Sequence, residues 1–441
     1  MMRHVKTLLI LMLMLILCLY IFIAESRRFL NPARILYINN STNETVVSFD
    51  WIPEVLLNGI KNRFSNSNET TTLAPPKGSG SYEVPLRGIG DSFMPFPETD
   101  TKEVEVTKKG NVTLKKIVFW NDYFNDKTFA FGLGQEPFIK AKCRINTCFT
   151  TADRTKFPVE EIDALIWHSR GADLSLPSKR SPHTRYIFWL LESPMHVGVD
   201  LNRYNNSFNW TFNYRLDSDF YFPFDRVFRS PEVLPVPIKN RALGKTKFAA
   251  WFVSNCHTKS GRATLVKTLQ KWIKIDIYGG CGTLKCSRKS GYGQCSELAQ
   301  RDYKFYFAFE NSLCKDYATE KIFNMLGYDI IPVVYGLFNY SALIPPGSYI
   351  DARSFPNVKS LADYLIYLDK NDTAYNEYFR WKPYHQISSP SVFTKPWCDM
   401  CARLHEDQSP KVYDLYKWYI TDSNCKTDSM PEVSRFVQGL S

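Results

Sequence analysis

Histidine is scarce in this chain, seven in 441 residues, and no two of them stand in an HExxH or comparable pairing. That excludes a helix-borne zinc hydrolase of the usual kind. The glycine-rich stretch Gly279-Gly280-Cys281-Gly282 lacks the lysine and hydroxyl residue of a Walker loop, so a P-loop is not expected. No internal repeat is visible, which sets solenoids and propellers aside. Charged residues make up 22% against 44% hydrophobic, a balance that excludes global disorder. Basic residues are in excess, 55 against 44 acidic, with a net charge of +11 and a pI near 9.0. That excess suits nucleic acid or a phosphorylated small molecule alike. Aromatics reach 15%, as large cores and sugar-stacking surfaces both require. At 51.2 kDa the chain has room for two or three domains.

One long run carries no charge at all: Thr7–Ala24, 18 residues. As a helix it spans about 27 Å, close to the ~30 Å hydrocarbon core of a bilayer. A cleavable signal peptide has a shorter apolar run and a small-x-small site, whereas cleavage after Ala24 would put Phe22 at −3. An uncleaved signal-anchor over 7–24 is expected, with residues 1–6 as a tail. Arg3 and Lys6 before the run and Arg27 and Arg28 after it do not orient it. The downstream sequence does. Nine Asn-x-Ser/Thr triplets follow, at Asn39, Asn40, Asn43, Asn68, Asn111, Asn205, Asn209, Asn339 and Asn371. Of the eleven cysteines only Cys18 lies in the run, leaving an even ten beyond it. Ten cysteines fit a disulfide framework in an oxidising lumen, the alternative being buried free thiols. A short cytosolic tail and a lumenal body follow.

Residues 25–110 are rich in Asn, Ser, Thr, Pro and Gly without sustained periodicity, most clearly at Asn66–Ser81, and read as a stem. Beyond Gly110 short apolar runs alternate with helical stretches, the α/β pattern. Strands are predicted at Lys116–Trp120, Ala164–Trp167, Tyr186–Leu191, Phe248–Val253, Ile273–Tyr278, Lys304–Phe309 and Ile330–Tyr335. Apolar spacing predicts helices over Arg262–Trp272, about Ala318–Leu326, and Val358–Leu368. Two α/β units result, at 111–235 and 236–441 with a C-terminal tail.

In open α/β sheets, ligands bind beyond the carboxyl ends of the strands. Three predicted strand ends carry polar groups: Glu192, Asn255 and Glu310-Asn311-Ser312. The last leads into Asp316-Tyr317-Ala318-Thr319-Glu320-Lys321 at the start of a helix. A helix N-terminus with a lysine in its first turn can seat a phosphate, because free N–H groups and the positive dipole end converge there. Spacing alone favours a plainer arrangement, with Thr319 capping the helix, Glu320 in the first turn and Lys321 in solvent.

Phe305–Gly336 (FYFAFENSLCKDYATEKIFNMLGYDIIPVVYG) resembles the donor-binding signature of the α1,3-fucosyltransferases, glycosyltransferase family 10. The resemblance extends to Trp251–Arg262, Leu191–Phe224 and Trp397–Leu404, covering about 115–405. The cysteine-bearing stretch Tyr278–Cys295, with Cys314, is most similar to invertebrate members that fucosylate the N-glycan core. This chain departs from the family in having Met325-Leu326-Gly327-Tyr328 where a longer helix is common. The resemblance implies two Rossmann-like domains facing a cleft (GT-B type), preceded by a single transmembrane helix and a stem. It implies GDP-fucose as donor, bound mostly by the C-terminal half. Asn311 and Tyr317 would line the donor pocket, Glu320 hold the ribose hydroxyls, and Lys321 with Arg262 meet the diphosphate. Glu192 matches the proposed general base. The implied partners are GDP-fucose, a GlcNAc-containing glycan and the membrane through one helix, with no nucleic acid. The implied setting is the Golgi membrane, single-pass type II.

The chemistry agrees with that inventory. A β-linked sugar nucleotide giving an α-linked product needs one in-line displacement. The acceptor hydroxyl is a poor nucleophile and needs one carboxylate as base. The diphosphate leaves readily, so no second carboxyl acid is required, unlike a glycosidase. It needs positive charge, which Lys321 and Arg262 can supply without an essential metal; stimulation by Mn2+ or Mg2+ stays open. Asp217-Ser218-Asp219 is a DxD triplet of the kind that chelates Mn2+ elsewhere, but it lies in the acceptor half and no metal role is expected. The Cys398-x-x-Cys401 pair, with Cys143 and Cys148, suits structural bridges better than zinc in a lumen, and family members tie this pair back to the N-terminal half. His168 and His196 are read as acceptor contacts or local structure. The expected reaction is α1,3-fucosylation of a GlcNAc in a glycoprotein glycan, N-glycan core favoured over an antennal GlcNAc. The alternative is a silent membrane-anchored glycan-binding protein.

Overall fold

The apolar runs that alternate with helices become two sheets, each parallel throughout. The first is built from β1 (Lys115–Phe119), β2 (Cys148–Thr151), β3 (Ala164–His168), β4 (Arg185–Leu190), β5 (Trp210–Asn213) and β6 (Phe220–Tyr221), in the order β2-β1-β3-β4-β5-β6. A five-residue helix, α1 (Glu136–Lys140), lies between β1 and β2. Every residue of β3 and β4 is buried, as expected of central strands covered on both faces. A short β7 (Val227–Arg229) then leads to the second sheet. This contains β8 (Lys247–Phe252), β9 (Ile275–Tyr278), β10 (Tyr303–Phe309), β11 (Ile331–Tyr335) and β12 (Ile350–Asp351), ordered β12-β11-β10-β8-β9. Renumbered from its own first strand, each sheet shares the doubly wound order 2-1-3-4-5, with a switch point between its first and third strands. A two-stranded ribbon pairs β7 with β13 (His385–Ile387).

Helices cover both faces of the second sheet. On one face lie α2 (Arg262–Leu269), α5 (Val358–Lys370) and α8 (Pro431–Gln438); on the other lie α3 (Gly293–Asp302) and α4 (Glu320–Leu326). The α5 stripe Val358, Leu361, Ala362, Leu365 and Leu368 is buried at the helical spacing seen in the sequence. A six-residue α6 (Asp372–Glu377) follows it.

The C-terminal segment returns to the first sheet. Helix α7 (Pro390–Glu406) sets Trp397, Met400 and Leu404 against Phe119, Trp189 and Phe212. Bridges Cys143–Cys398 and Cys148–Cys401 fasten it there. A π-helical turn, Lys417–Thr421, packs Tyr419 against Phe188 on the opposite face. Bridges Cys256–Cys281, Cys286–Cys295 and Cys314–Cys425 complete the set, so all ten cysteines beyond Cys18 are oxidised and the free-thiol alternative falls.

The computed structural model describes residues 113–286, 293–387, 390–407, 409 and 411–440, all within one compact unit spanning 86–441. The expected tail, signal-anchor (7–24) and stem (25–110) lie outside the described residues. Among the described residues no helix is long and apolar enough to cross a membrane. Helix α2 ends at Leu269 rather than Trp272, and α4 begins at Glu320 rather than about Ala318.

Candidate active site

At the carboxyl edge of the second sheet, the loops after β8 and β10 diverge at the switch point. Arg262, the first residue of α2, is 4% exposed there. Its guanidinium donates to the Phe309 carbonyl (2.9 Å) and the Asn255 carbonyl (2.8 Å), joining the two strand ends. Its Nε is buried without a protein partner. Burial lowers the guanidinium below its ordinary value, and the carboxylate of Glu310 opposes that most strongly. Among the described residues no carboxylate forms an ion pair with it, so its charge is available to the crevice.

Glu310 follows the buried strand β10 and is itself 1% exposed. A carboxylate in that position needs charged partners. One oxygen accepts from the Thr319 backbone N–H (2.8 Å) and both accept from its hydroxyl (3.0 Å). The other oxygen meets Lys321 Nζ at 3.0 Å. Burial raises the Glu310 carboxyl, with Lys321 working against it. Lys321 also donates to Thr319 Oγ1 (2.7 Å) and approaches Glu320 Oε1 (3.4 Å). Burial pulls its ammonium down, but Glu310 and Glu320 outweigh that and the net shift is upward. The solvent position read from spacing is therefore wrong for Lys321. Thr319 does occupy the N-cap, yet its side chain makes no cap bond to the helix, because it is turned toward Glu310. In the sequence Glu310 stands out only as a polar residue at a strand end. The available signal was a carboxylate placed directly after a strand buried along its whole length.

The other predicted donor residues spread around this centre. Glu320 is the first residue of α4 with its carboxylate half exposed. Asn311 follows Glu310, and its amide oxygen is buried without a protein donor. Tyr317 is 2% exposed, edge-on to Tyr214 at 5.1 Å and Phe224 at 6.1 Å, inside the cluster that backs the first sheet. It therefore underlies the crevice more than it faces it.

Glu192 stands just past β4 on the first sheet, and its backbone carbonyl accepts the Tyr419 hydroxyl. The next residue, Ser193, bonds Ser312 through their hydroxyls, and His196 Nδ1 lies 3.1 Å from the first and 3.3 Å from the second. This junction joins the Glu192 loop to the Asn311 loop. Burial lowers the His196 imidazole; Glu192 opposes the shift, while Arg170, Arg262 and Lys321 reinforce it. Tyr123 and Tyr317 each sense Glu192 together with Glu320. The Ser193–Ser312 bond thus holds the loop that carries Glu192 against the loop that leads to Lys321.

The DxD triplet is committed elsewhere. Asp217 pairs with Arg215 (2.6 Å) and Lys315 (3.1 Å). Asp219, nearly buried, is held by Arg403 (3.0 Å), Lys411 (2.8 Å) and Tyr413 (2.8 Å). The Asp219 contacts bind α7 and the C-terminal segment to the first sheet.

Residues 113–225 match the family model for the fucosyltransferase N-terminal region, and 242–418 match that of the glycosyltransferase family 10 (fucosyltransferase) C-terminal region. The chain is 36% identical over 345 residues to alpha-(1,3)-fucosyltransferase C of Drosophila melanogaster, covering 71% of this chain and 79% of that protein. It is 37% identical over 332 residues to glycoprotein 3-alpha-L-fucosyltransferase A of the same organism, covering 73% of this chain and 63% of that one. A crystal structure of an alpha1,3-fucosyltransferase with GDP-fucose aligns at 17% identity and a TM-score of 0.43, over 69% of this chain and 94% of that one.

Proposed function

Because the chain belongs to glycosyltransferase family 10 and is an α1,3-fucosyltransferase, we propose that it moves fucose from GDP-β-L-fucose to O3 of a GlcNAc in a glycoprotein glycan, with the N-glycan core the favoured acceptor. Glu192 takes the proton from the acceptor hydroxyl as its oxygen bonds to the fucose anomeric carbon. The bond from that carbon to the phosphate oxygen breaks, GDP departs with the electron pair, and the anomeric centre inverts. Lys321 and Arg262 face the charge that grows on the diphosphate. Glu320 takes the ribose hydroxyls, the unpartnered Asn311 oxygen accepts from the donor, and Tyr317 backs the pocket. The observation that carries this reading is the Ser193–Ser312 hydroxyl bond (2.7 Å), which joins the Glu192 loop to the Asn311 loop that leads into Lys321. A relative named as a glycoprotein fucosyltransferase favours a glycoprotein acceptor. Residues 111–235 then act as the acceptor-side domain and 236–441 as the donor domain. The catalytic body lies in the Golgi lumen behind a single type II anchor. No divalent metal is required, and stimulation by Mn2+ or Mg2+ stays open.

The test is to incubate the chain from Val112 with GDP-fucose and defined N-glycans, with and without EDTA, and to read product mass and linkage. An α1,3-fucose on the core GlcNAc, formed in EDTA, is the expected result. Antennal product would move the acceptor outward along the glycan. Donor binding without turnover would favour the silent glycan-binding reading.

A further inference from the structure

The first sheet has its own switch point, between β1 and β3, and the loops that leave those strands are laced together there. Asn121 Nδ2 donates to the His168 carbonyl (2.7 Å), and the His168 N–H returns to Asn121 Oδ1 (2.8 Å). The Ala172 N–H reaches Asp122 Oδ1 at 2.8 Å. Crevices at such points are where doubly wound sheets bind ligands. In the second sheet the corresponding crevice holds Arg262 and Glu310; in the first it holds nothing that the proposed chemistry uses.

The backbone there is costly. Tyr123 and Asp126 exchange two backbone hydrogen bonds (2.8 and 2.9 Å) around a two-residue turn whose centre is Phe124 (φ 49°) and Asn125 (φ 71°). Glycine and asparagine suit such a turn; a phenylalanine with positive φ is a steric outlier. Strain of this sort persists where surrounding structure enforces it, and it clusters at ligand sites. Enforcement comes from Asp122, whose carboxylate accepts the Asn125 N–H at 2.7 Å.

The strained residue is displayed rather than buried, with Phe124 46% exposed. Around its ring lie His168 and Tyr123, in edge contacts at 5.0 and 5.2 Å, and the Arg170 guanidinium stands over the ring at 5.7 Å. Burial holds His168 down to about 4, so the imidazole is uncharged near neutral pH. The surface is continuous with the reactive carboxylate: Arg170 donates to the His196 carbonyl (2.7 Å) on the Glu192 loop, and Tyr123 senses Glu192. A half-exposed ring beside an uncharged imidazole, with an arginine over it, offers apolar surface to the C–H face of a pyranose and a donor to its peripheral hydroxyls.

We propose that Phe124, with Tyr123 beside it, is the platform on which a sugar ring of the acceptor glycan stacks, and that it sets acceptor affinity. This rests on the fucosyl-transfer reading. Phe124→Gly removes the ring and supplies the residue that the turn geometry prefers, so folding is not at risk. With a defined N-glycan acceptor, its KM should rise about tenfold, with Tm equal to or above wild type and the GDP dissociation constant unchanged. Phe124→Tyr should restore the acceptor KM. An unchanged acceptor KM in the glycine variant overturns the platform, as does a parallel loss of GDP affinity or of Tm. If wild type forms no fucosylated product, the fucosyl-transfer reading itself fails, which is a separate result.

Discussion

Ser193 and Ser312 stand 119 residues apart in the chain, yet their hydroxyls meet at 2.7 Å and both residues are buried. Each adjoins a residue proposed for the reaction, Glu192 in one case and Asn311 in the other. A bond between neighbours fixes the loops that carry those groups, whichever way the hydroxyl protons point. The proposed base and donor pocket are therefore registered through a bond between their neighbours, with His196 closing the junction.

That registration makes Glu192 separable from donor binding. Glu192→Gln keeps the side-chain shape and leaves the backbone carbonyl bonded to Tyr419. Transfer should fall about 10²–10⁴-fold in kcat, the range for losing a general base, while GDP binding by calorimetry stays at the wild-type value. An equal loss of both would make Glu192 a structural residue.

Glu310→Gln should expose Lys321 to its own burial. In the native site desolvation lowers the ammonium, and Glu310 and then Glu320 raise it to a net upward shift. With the Glu310 charge gone the downward pull dominates, so Lys321 releases its proton at lower pH. The plot of kcat/KM for GDP-fucose against pH should then break on the alkaline side earlier than in wild type. Superimposable profiles would show that Glu310 does not maintain the lysine charge.

The residues that sequence reading placed well are those whose signal is local. The run through Tyr186–Leu191 must be a buried strand, and the charged residue that stops it has to sit at the sheet edge, where Glu192 is found. Strand β5, Trp210–Asn213, went unseen because four residues of mixed polarity carry no period, and its strand character comes from pairing with β4. Helix α7 hides behind Pro396 in its interior. Its docking depends on bridges that span 255 and 253 residues, which no spacing rule identifies. Lys321 is the instructive case. Its helical position was legible, but its partner came from the end of another element, and only tertiary packing brings Glu310 beneath it.

The sequons divide by how their amides are used. Asn209 accepts from the Tyr186 N–H (2.9 Å) through its oxygen and donates to the Lys411 carbonyl (2.9 Å) through its nitrogen. A glycan on that nitrogen would displace the C-terminal segment from β4. Asn339 is exposed and engages Ser341 through its oxygen at 2.7 Å. Glycopeptide mapping of folded protein secreted from eukaryotic cells should find a glycan on Asn339 and none on Asn209. Occupancy at Asn209 in active material would contradict the packing around β5.

Acid should weaken the fold through His168. Its ring is fully buried among Tyr123, Phe124 and Phe129, with Nδ1 3.0 Å from the Asp122 carbonyl. Burial lowers its folded value from 6.5 to about 4. Between those values the unfolded chain binds a proton that the folded chain refuses. The associated stability is thus fully present above pH 6.5 and is lost as the pH falls toward 4. A shift of that size corresponds to about 3 kcal/mol at most. Denaturant unfolding across this range should show wild-type stability dropping more steeply than that of His168→Gln, even though the variant is weaker near neutral pH for want of the ring. Parallel slopes would mean that the imidazole gains its proton without unfolding the first-sheet crevice, and that the crevice opens to water far more readily than its packing implies.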